Sequence, residues 1–132
     1  MAAVGTGTTL AGLVAAAGET QEITGVSALK NNFDLEKEIN NLLSEKDKDR
    51  FHLLHHYHFG GYAHHTDALL AFMNRWYENT GIPSDFVYTG KLFFAFDDLC
   101  RQRYFPPSSH ILLIHSGGLQ GNNSLKEGTL IF

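Results

Sequence analysis

The amino-acid sequence predicts an α/β fold, a three-layer αβα arrangement in which a mostly parallel, twisted sheet carries helices on both faces. Two observations predict it. Short apolar or β-branched runs alternate with stretches of helical periodicity along the 132 residues, the pattern that builds parallel sheets. Glycine clusters follow the first and the last of those runs, at Gly5 and at Gly117. Both therefore fall at the carboxyl edge of one sheet, where open α/β folds place their ligands.

The elements follow in order. Met1 to Val4 reads as the end of a strand, and Gly5-Thr6-Gly7-Thr8-Thr9 follows it. Leu10, Leu13, Val14 and Ala17 recur at helical spacing until Gly18. Ile23 to Ala28 is a buried strand by its apolar, β-branched content. Leu35, Ile39, Leu42 and Leu43 mark one face of a second helix, and the charged run from Glu36 to Arg50 reads as its solvated face and a turn. Phe51 to Phe59 suits a strand ending at Gly60-Gly61. Thr66 is a good N-cap for a third helix, on which Leu69, Phe72, Met73 and Trp76 form the clearest amphipathic stripe in the chain. Gly81 and Pro83 stop it. Phe86-Val87-Tyr88 leads through Thr89-Gly90-Lys91 into a fourth helix carrying Leu92, Phe96 and Leu99, which Pro106-Pro107 breaks. His110 to His115 encloses Ile-Leu-Leu-Ile, a fully buried strand by length and type, and the polar tail from Gln120 reads as a loop.

Composition narrows the class. The chain is 43% hydrophobic and 18% charged, which suits a globular domain with one sizeable core. A net charge of −4 argues against a nucleic-acid surface or a basic membrane patch. No apolar run approaches the ~18 residues of a membrane span. Cys100 is the lone cysteine, so an internal disulfide is excluded and a reducing, cytoplasmic setting is the expectation.

A strand, then Gly-Thr-Gly-Thr-Thr, then a helix is a phosphate-binding arrangement. The glycines allow a tight turn and close approach; successive backbone N–H groups and a helix N-terminus then face the anion. The threonines add hydroxyls. A dinucleotide fingerprint would need Gly where this chain has Leu10, and the Gly-Lys-Ser/Thr of a Walker loop is absent. A plain glycine turn remains an alternative for this loop taken alone.

Four segments together carry a resemblance: Ala3-Val-Gly-Thr-Gly-Thr-Thr9, Phe59-Gly-Gly-Tyr-Ala63, Val87-Tyr-Thr-Gly-Lys91 and Ile114-His-Ser-Gly-Gly118. In this order and spacing the chain resembles the C-terminal part of the 1-aminocyclopropane-1-carboxylate deaminase and D-cysteine desulfhydrase family. Those are fold-type-II pyridoxal-phosphate enzymes related to the tryptophan synthase β-subunit. The resemblance implies that residues 1–132 form part of the large domain, that the cofactor is pyridoxal 5′-phosphate, and that the substrate is a small amino acid. It implies that Gly5, Thr6, Gly7, Thr8 and Thr9 wrap the cofactor phosphate and that Tyr88 is the active-site tyrosine. Ser116 would lie at the pyridine nitrogen, with Thr89 at the neighbouring ring-side position.

Within that family the deaminases resemble one another in having Glu after the tyrosine and Leu before the last Gly-Gly. Thr89 and Ser116 stand there instead, as in desulfhydrase-like members. A carboxylate at the ring nitrogen favours its protonated form and a stronger electron sink, whereas a hydroxyl does so far less. A desulfhydrase-like activity is therefore expected. The family's cofactor-binding lysine lies in an N-terminal half. Lys91 does not match it, and Lys30, Lys37, Lys46 and Lys48 sit in polar contexts. The expectation is a fragment, inactive alone, that self-associates or joins a missing N-terminal half. A non-catalytic phosphate-binding or assembly fragment is the alternative.

Other residues have plainer readings. A strand over Phe51 to Phe59 would put His52, His56 and His58 on one face, yet a metal site needs converging ligands and none is expected. Cys100 reads as a small buried hydrophobe. Tyr88 alone could be a core residue, and Ser116 alone a turn cap. Asp97 and Asp98, adjacent on a helix, read as a solvated face.

Overall fold

A computed structural model describes all 132 residues. Three parallel strands form the sheet: β1 (Ala2–Val4), β2 (Ile23–Ser27) and β3 (Phe51–Leu54), in that order. Helix α1 (Thr8–Ala16) joins β1 to β2, and α2 (Leu35–Asn40) lies between β2 and β3. Helices α3 (Asp67–Thr80) and α4 (Thr89–Arg101) come after the sheet, followed by a 3₁₀ turn over Leu119–Ser124. None of the helices is long and apolar enough to cross a membrane.

Period-two alternation divides the apolar residues between two cores. Ala2 and Val4 of β1 and Phe51 of β3 join Leu10, Ala11 and Val14 of α1 and Leu35 and Ile39 of α2 on one face. Val26 of β2 meets Leu69, Phe72 and Met73 of α3 and Leu92 and Phe93 of α4 on the other, with Ala3 and Leu54 packed alongside. This is the expected αβα sandwich. Placing α1 and α2 together is what right-handed crossovers demand when the sheet grows in one direction, β1 to β3. The chain then changes face. Trp76 of α3 stacks on Phe93 of α4 at 4.9 Å, and Phe72 meets Phe94 edge-on at 5.1 Å.

The helix ends obey local chemistry. Thr66 Oγ1 accepts from Leu69 N at 3.3 Å at the start of α3, and Gly81 closes it in the left-handed conformation, its N–H donating to Tyr77 O at 2.7 Å. The end of α1 is held from a distance. Arg50 donates to Gly18 O at 3.1 Å and to Ala17 O at 3.5 Å, while pairing with Asp47 at 2.8 Å. Asp47, only 5% exposed, also accepts from Ser44 Oγ at 2.6 Å. The charged run is thus more than a solvated face, because its last residues brace α1.

Four further expectations change. The strand beginning at Phe51 ends at Leu54 rather than Phe59, because β3 pairs only with β2 and the last register pair is Val26 with Leu54. The alternating histidine face therefore does not form. His55 instead pairs with Glu36 at 2.7 Å, and Tyr57 turns inward to donate to Asp98 Oδ2 at 2.7 Å. Residues 110–115 do not make a fully buried strand. They touch β1 through a single parallel bridge, Ile114 with Ala2, and Leu112 is 71% exposed. With only three residues in β1 and nothing on the outer side, the segment has one neighbour instead of two. Cys100 is exposed, on the side of α4 away from the core. The polar tail contains the 3₁₀ turn, where Asn122 donates to Ser84 O at 3.0 Å and accepts from Phe86 N at 3.2 Å.

Gly25 in mid-β2 shows how closely α1 sits on the sheet. A Cβ there would lie 2.6 Å from Leu53, 2.7 Å from Val4 and 2.8 Å from Leu10 side-chain carbons. Val4 is β-branched and cannot swing aside. Although alanine ordinarily suits a strand better than glycine, Gly25→Ala is expected to lose about 1–3 kcal/mol of stability by overpacking, read as a lower urea midpoint.

Candidate functional site

Strand order decides where a crevice opens. From β1 the sheet grows to β2 and β3 on one side, while Ile114 bridges the other side of β1. The connection after β1 and the one after Ile114 therefore diverge from neighbouring strand ends, which is the switch point where open α/β sheets bind ligands. A cavity of about 250 Å³ lies there, lined by Gly5 to Thr9, Ser116 and Tyr88. All the predicted site residues except Thr89 meet in it. A second cavity of about 320 Å³, near Asn122 and Phe132, gathers no comparable chemistry.

The loop geometry explains its composition. Gly7 takes φ +88° and its hydrogen faces Ile39, so a Cβ would stand 2.4 Å from Ile39 Cγ1. The loop is thereby pressed onto α2. Gly5 faces the other way: a Cβ there would meet the Tyr88 hydroxyl at 3.1 Å. Helix α1 has no side-chain cap, and the N–H groups of Gly5 to Leu10 donate to no acceptor in the chain. Thr6, Thr8 and Thr9 are exposed. The cavity lining holds no carboxylate and no ammonium, so it offers an array of neutral donors at the positive end of a helix, suited to an anion.

Tyr88 owes its place to Asp85. This carboxylate, 1% exposed, accepts from the N–H groups of Val87 at 2.9 Å, Tyr88 at 2.7 Å and Thr89 at 2.9 Å. It also accepts from the Thr89 hydroxyl at 2.6 Å, while Thr89 Oγ1 accepts from Asp85 N at 2.9 Å. Asp85 and Thr89 thus form a reciprocal cap on α4, like a capping box with the acid placed first. Gly118, just past the Ser116 turn, packs against the same carboxylate. Thr89 is fully buried and its hydroxyl is committed to this cap. It does not line the cavity, contrary to the ring-side position expected for it. Asp85 escaped the sequence reading. The signal was present as Asp four residues before Thr at a helix start.

Tyr62 was also missed. It is 57% exposed, and its ring stands edge-on to Tyr88 with centroids 6.0 Å apart. Partial burial, then Tyr62 and Asp85, push the Tyr88 phenol above its usual range, which keeps it protonated at neutral pH. Ser116 makes no hydrogen bond within the chain, and its neighbour His115 reaches Pro83 O at 2.8 Å.

Lys91 is the other surprise. It is fully buried; Nζ donates to Gly61 O at 2.6 Å and to Ala28 O at 3.4 Å. Burial lowers its pKa to about 8, against an upward pull from Asp85. It does not line the cavity.

No protein-family model and no curated protein matches the chain. Among solved structures, the crystal structure of an ACC deaminase homologue matches with a TM-score of 0.74 and 27% identity, over 92% of this chain and 39% of that one. The chain therefore spans about two fifths of the neighbour it resembles. The α/β architecture is that of a domain of this enzyme-like fold.

Asp85→Ala strands two buried N–H groups, a half-buried one and a buried hydroxyl, and is expected to cost about 2–4 kcal/mol by chemical denaturation. Thr89→Val should cost about 1–2 kcal/mol. Stability should also depend on Lys91. Below pH 8 both folded and unfolded chains hold its proton. Between about 8 and the unfolded value of 10.5 only the unfolded chain does, so raising the pH favours folding. The gain, up to about 3 kcal/mol, should vanish in Lys91→Met when denaturation midpoints are compared at pH 7.5 and 9.5.

Proposed function

We propose that this chain supplies the phosphate-binding side of a pyridoxal-phosphate enzyme acting on a small amino acid. The observation that carries the reading is the convergence of the unpaired Gly5 to Leu10 amides, Tyr88 and Ser116 on one cavity at the switch point. The resemblance of four sequence segments to the deaminase and desulfhydrase family supports it, as does the fold shared with an ACC deaminase homologue.

The residues fit the cofactor at one end. Neutral donors and a helix N-terminus suit a phosphate dianion, and a Cβ at Gly5 would close the space between loop and phenol. About 250 Å³ is below the ~300–1,000 Å³ of a complete drug-sized pocket, consistent with one wall of a larger site. The lysine that would hold the aldehyde is not in this lining, so we assign it to polypeptide outside these residues, with which the chain would associate. When bound, pyridoxal phosphate supplies an electron sink for charge developing at the substrate α-carbon.

The chain's own residues have definite tasks. Gly5 to Thr9 anchor and orient through backbone N–H and hydroxyl donors. Tyr88, held protonated, is set to donate a proton from its hydroxyl. Ser116 offers the ring nitrogen a hydroxyl. A hydroxyl stabilises a protonated ring far less than a carboxylate, which favours thiol elimination, as in a D-cysteine desulfhydrase, over cyclopropane opening. That preference rests on the lack of a carboxylate after Tyr88, where Thr89 stands with its hydroxyl taken by Asp85, together with the hydroxyl of Ser116.

Backbone NMR of the 132-residue chain titrated with inorganic phosphate, then with pyridoxal phosphate, tests this. Shifts concentrated on Gly5 to Leu10 are expected with both ligands. Thr8→Glu, at an exposed position, should weaken both at least tenfold through like-charge repulsion. An unmoved loop overturns the site. Release of hydrogen sulfide from D-cysteine by this chain alone would overturn the role given to an outside lysine.

A further inference from the structure

The Gly60-Gly61-Tyr62 turn is an unusual piece of backbone. Phe59, Gly60, Gly61 and Ala63 all have positive φ, at 50°, 101°, 115° and 52°. The two glycines adopt it freely, but Phe59 and Ala63 hold it only when their surroundings over-determine it. Three local hydrogen bonds contribute: Gly61 N to His58 O at 3.0 Å, Gly60 N to His58 Nδ1 at 3.0 Å and His64 N to Gly61 O at 3.2 Å. None of them links the turn to the body of the fold. Phe59 is tied to it by its ring, edge-on to Phe94 of α4 at 4.8 Å, and the glycine end of the turn by the Lys91 ammonium, which rises from α4 to Gly61 O and at the same time reaches Ala28 O beyond β2. One residue past Gly61, Tyr62 stands against Tyr88, which lies three residues before Lys91 on the same helix start.

We propose that Lys91 is a positioning residue: its buried ammonium clamps the Gly60–Tyr62 turn to α4 and so sets Tyr62 against Tyr88 at the mouth of the cavity. The clamp needs a charged donor. A neutral amine keeps a weaker bond to one carbonyl, and the turn's positive-φ residues then relax. The charged and titratable groups about the clamp are Asp85, just ahead of α4, and His58 within the turn, with Lys30 after β2 acting on His58 and laying its Cβ against Gly61. Asp85 favours the charged form, and His58 is itself held below its usual range by burial and by Lys30 and Lys91. It therefore titrates below the window in which the lysine does. The proposal rests on the proposed site only in giving Tyr88 a task; the coupling itself requires no cofactor.

The test is a pH titration of the chain from 7 to 9.5, with [¹³Cζ]-tyrosine and ¹³Cε-lysine labels followed by NMR. Tyr62 and Tyr88 are expected to share a midpoint near 8 with Lys91 itself, whereas Tyr104, beyond the far end of α4, shows no midpoint there. In Lys91→Met and in Lys91→Gln the midpoint should disappear from both tyrosines; in His58→Gln it should persist. Should both lysine variants fail to fold, coincidence of the three wild-type curves decides. Tyrosine signals that are flat across the lysine's titration, or unchanged in the lysine variants, overturn the proposal. So does a midpoint lost in His58→Gln. Those results would leave phosphate binding by Gly5 to Leu10 standing, since that is measured separately.

Discussion

The Asp85 carboxylate is the constraint on which the second half of the molecule depends. A buried carboxylate is tolerated only when its charge is met by donors, and here the donors are the first turn of α4. Meeting them fixes where that helix begins. The beginning of α4 fixes Tyr88 over Gly5 and sends Lys91 inward. The same carboxylate receives Gly118 from the last turn, so the segment carrying Ser116 is aligned by it too. A single acid thus aligns two sides of the cavity.

Around that centre the architecture divides labour between faces. The α1–α2 face is apolar and regular, and it presents the Gly5 to Thr9 loop by pressing Gly7 onto Ile39. The α3–α4 face is aromatic and carries most of the polar burial: Tyr57 with Asp98, Asp85 with Thr89, and Lys91 with two carbonyls. The cavity sits where the products of the two faces meet. Loop rigidity on one side and cap chemistry on the other bring donors and phenol to within touching distance.

Much of this was legible in the letters. Helical spacing located α1 to α4, short apolar runs located the three paired strands, and the glycines after Val4 and Ser116 pointed to one sheet edge. What escaped has physical reasons. Strand length depends on how far a partner extends, so Phe51 to Phe59 read longer than β2 allows, and Ile111 to Ile114 read as buried without a second neighbour. Exposure on a helix depends on what packs beside it, which Cys100 could not reveal. Thr89 read as a motif letter and Asp85 went unread; their reciprocal hydrogen bonds require the chain to fold back within four residues. Lys91 read only as the last letter of the Tyr-Thr-Gly-Lys segment at a helix start, and lysine is rarely buried. Only three-dimensional closure shows that the carbonyls of Ala28 and Gly61 converge on it.

The contact between Gly5 and Tyr88 has a consequence for anyone who would reuse this loop. Phosphate loops of the strand–glycine–helix kind look portable, a short cassette to be grafted onto another α/β scaffold. Here the cassette is not self-contained. The first glycine is shaped by a phenol contributed from a helix more than eighty residues later, and that phenol is aimed by an acid that the cassette does not include. A transplant of Gly5 to Thr9 alone would move the donors and leave behind the surface against which they are spaced. The smallest transferable unit is the loop together with the Asp85-to-Lys91 helix start.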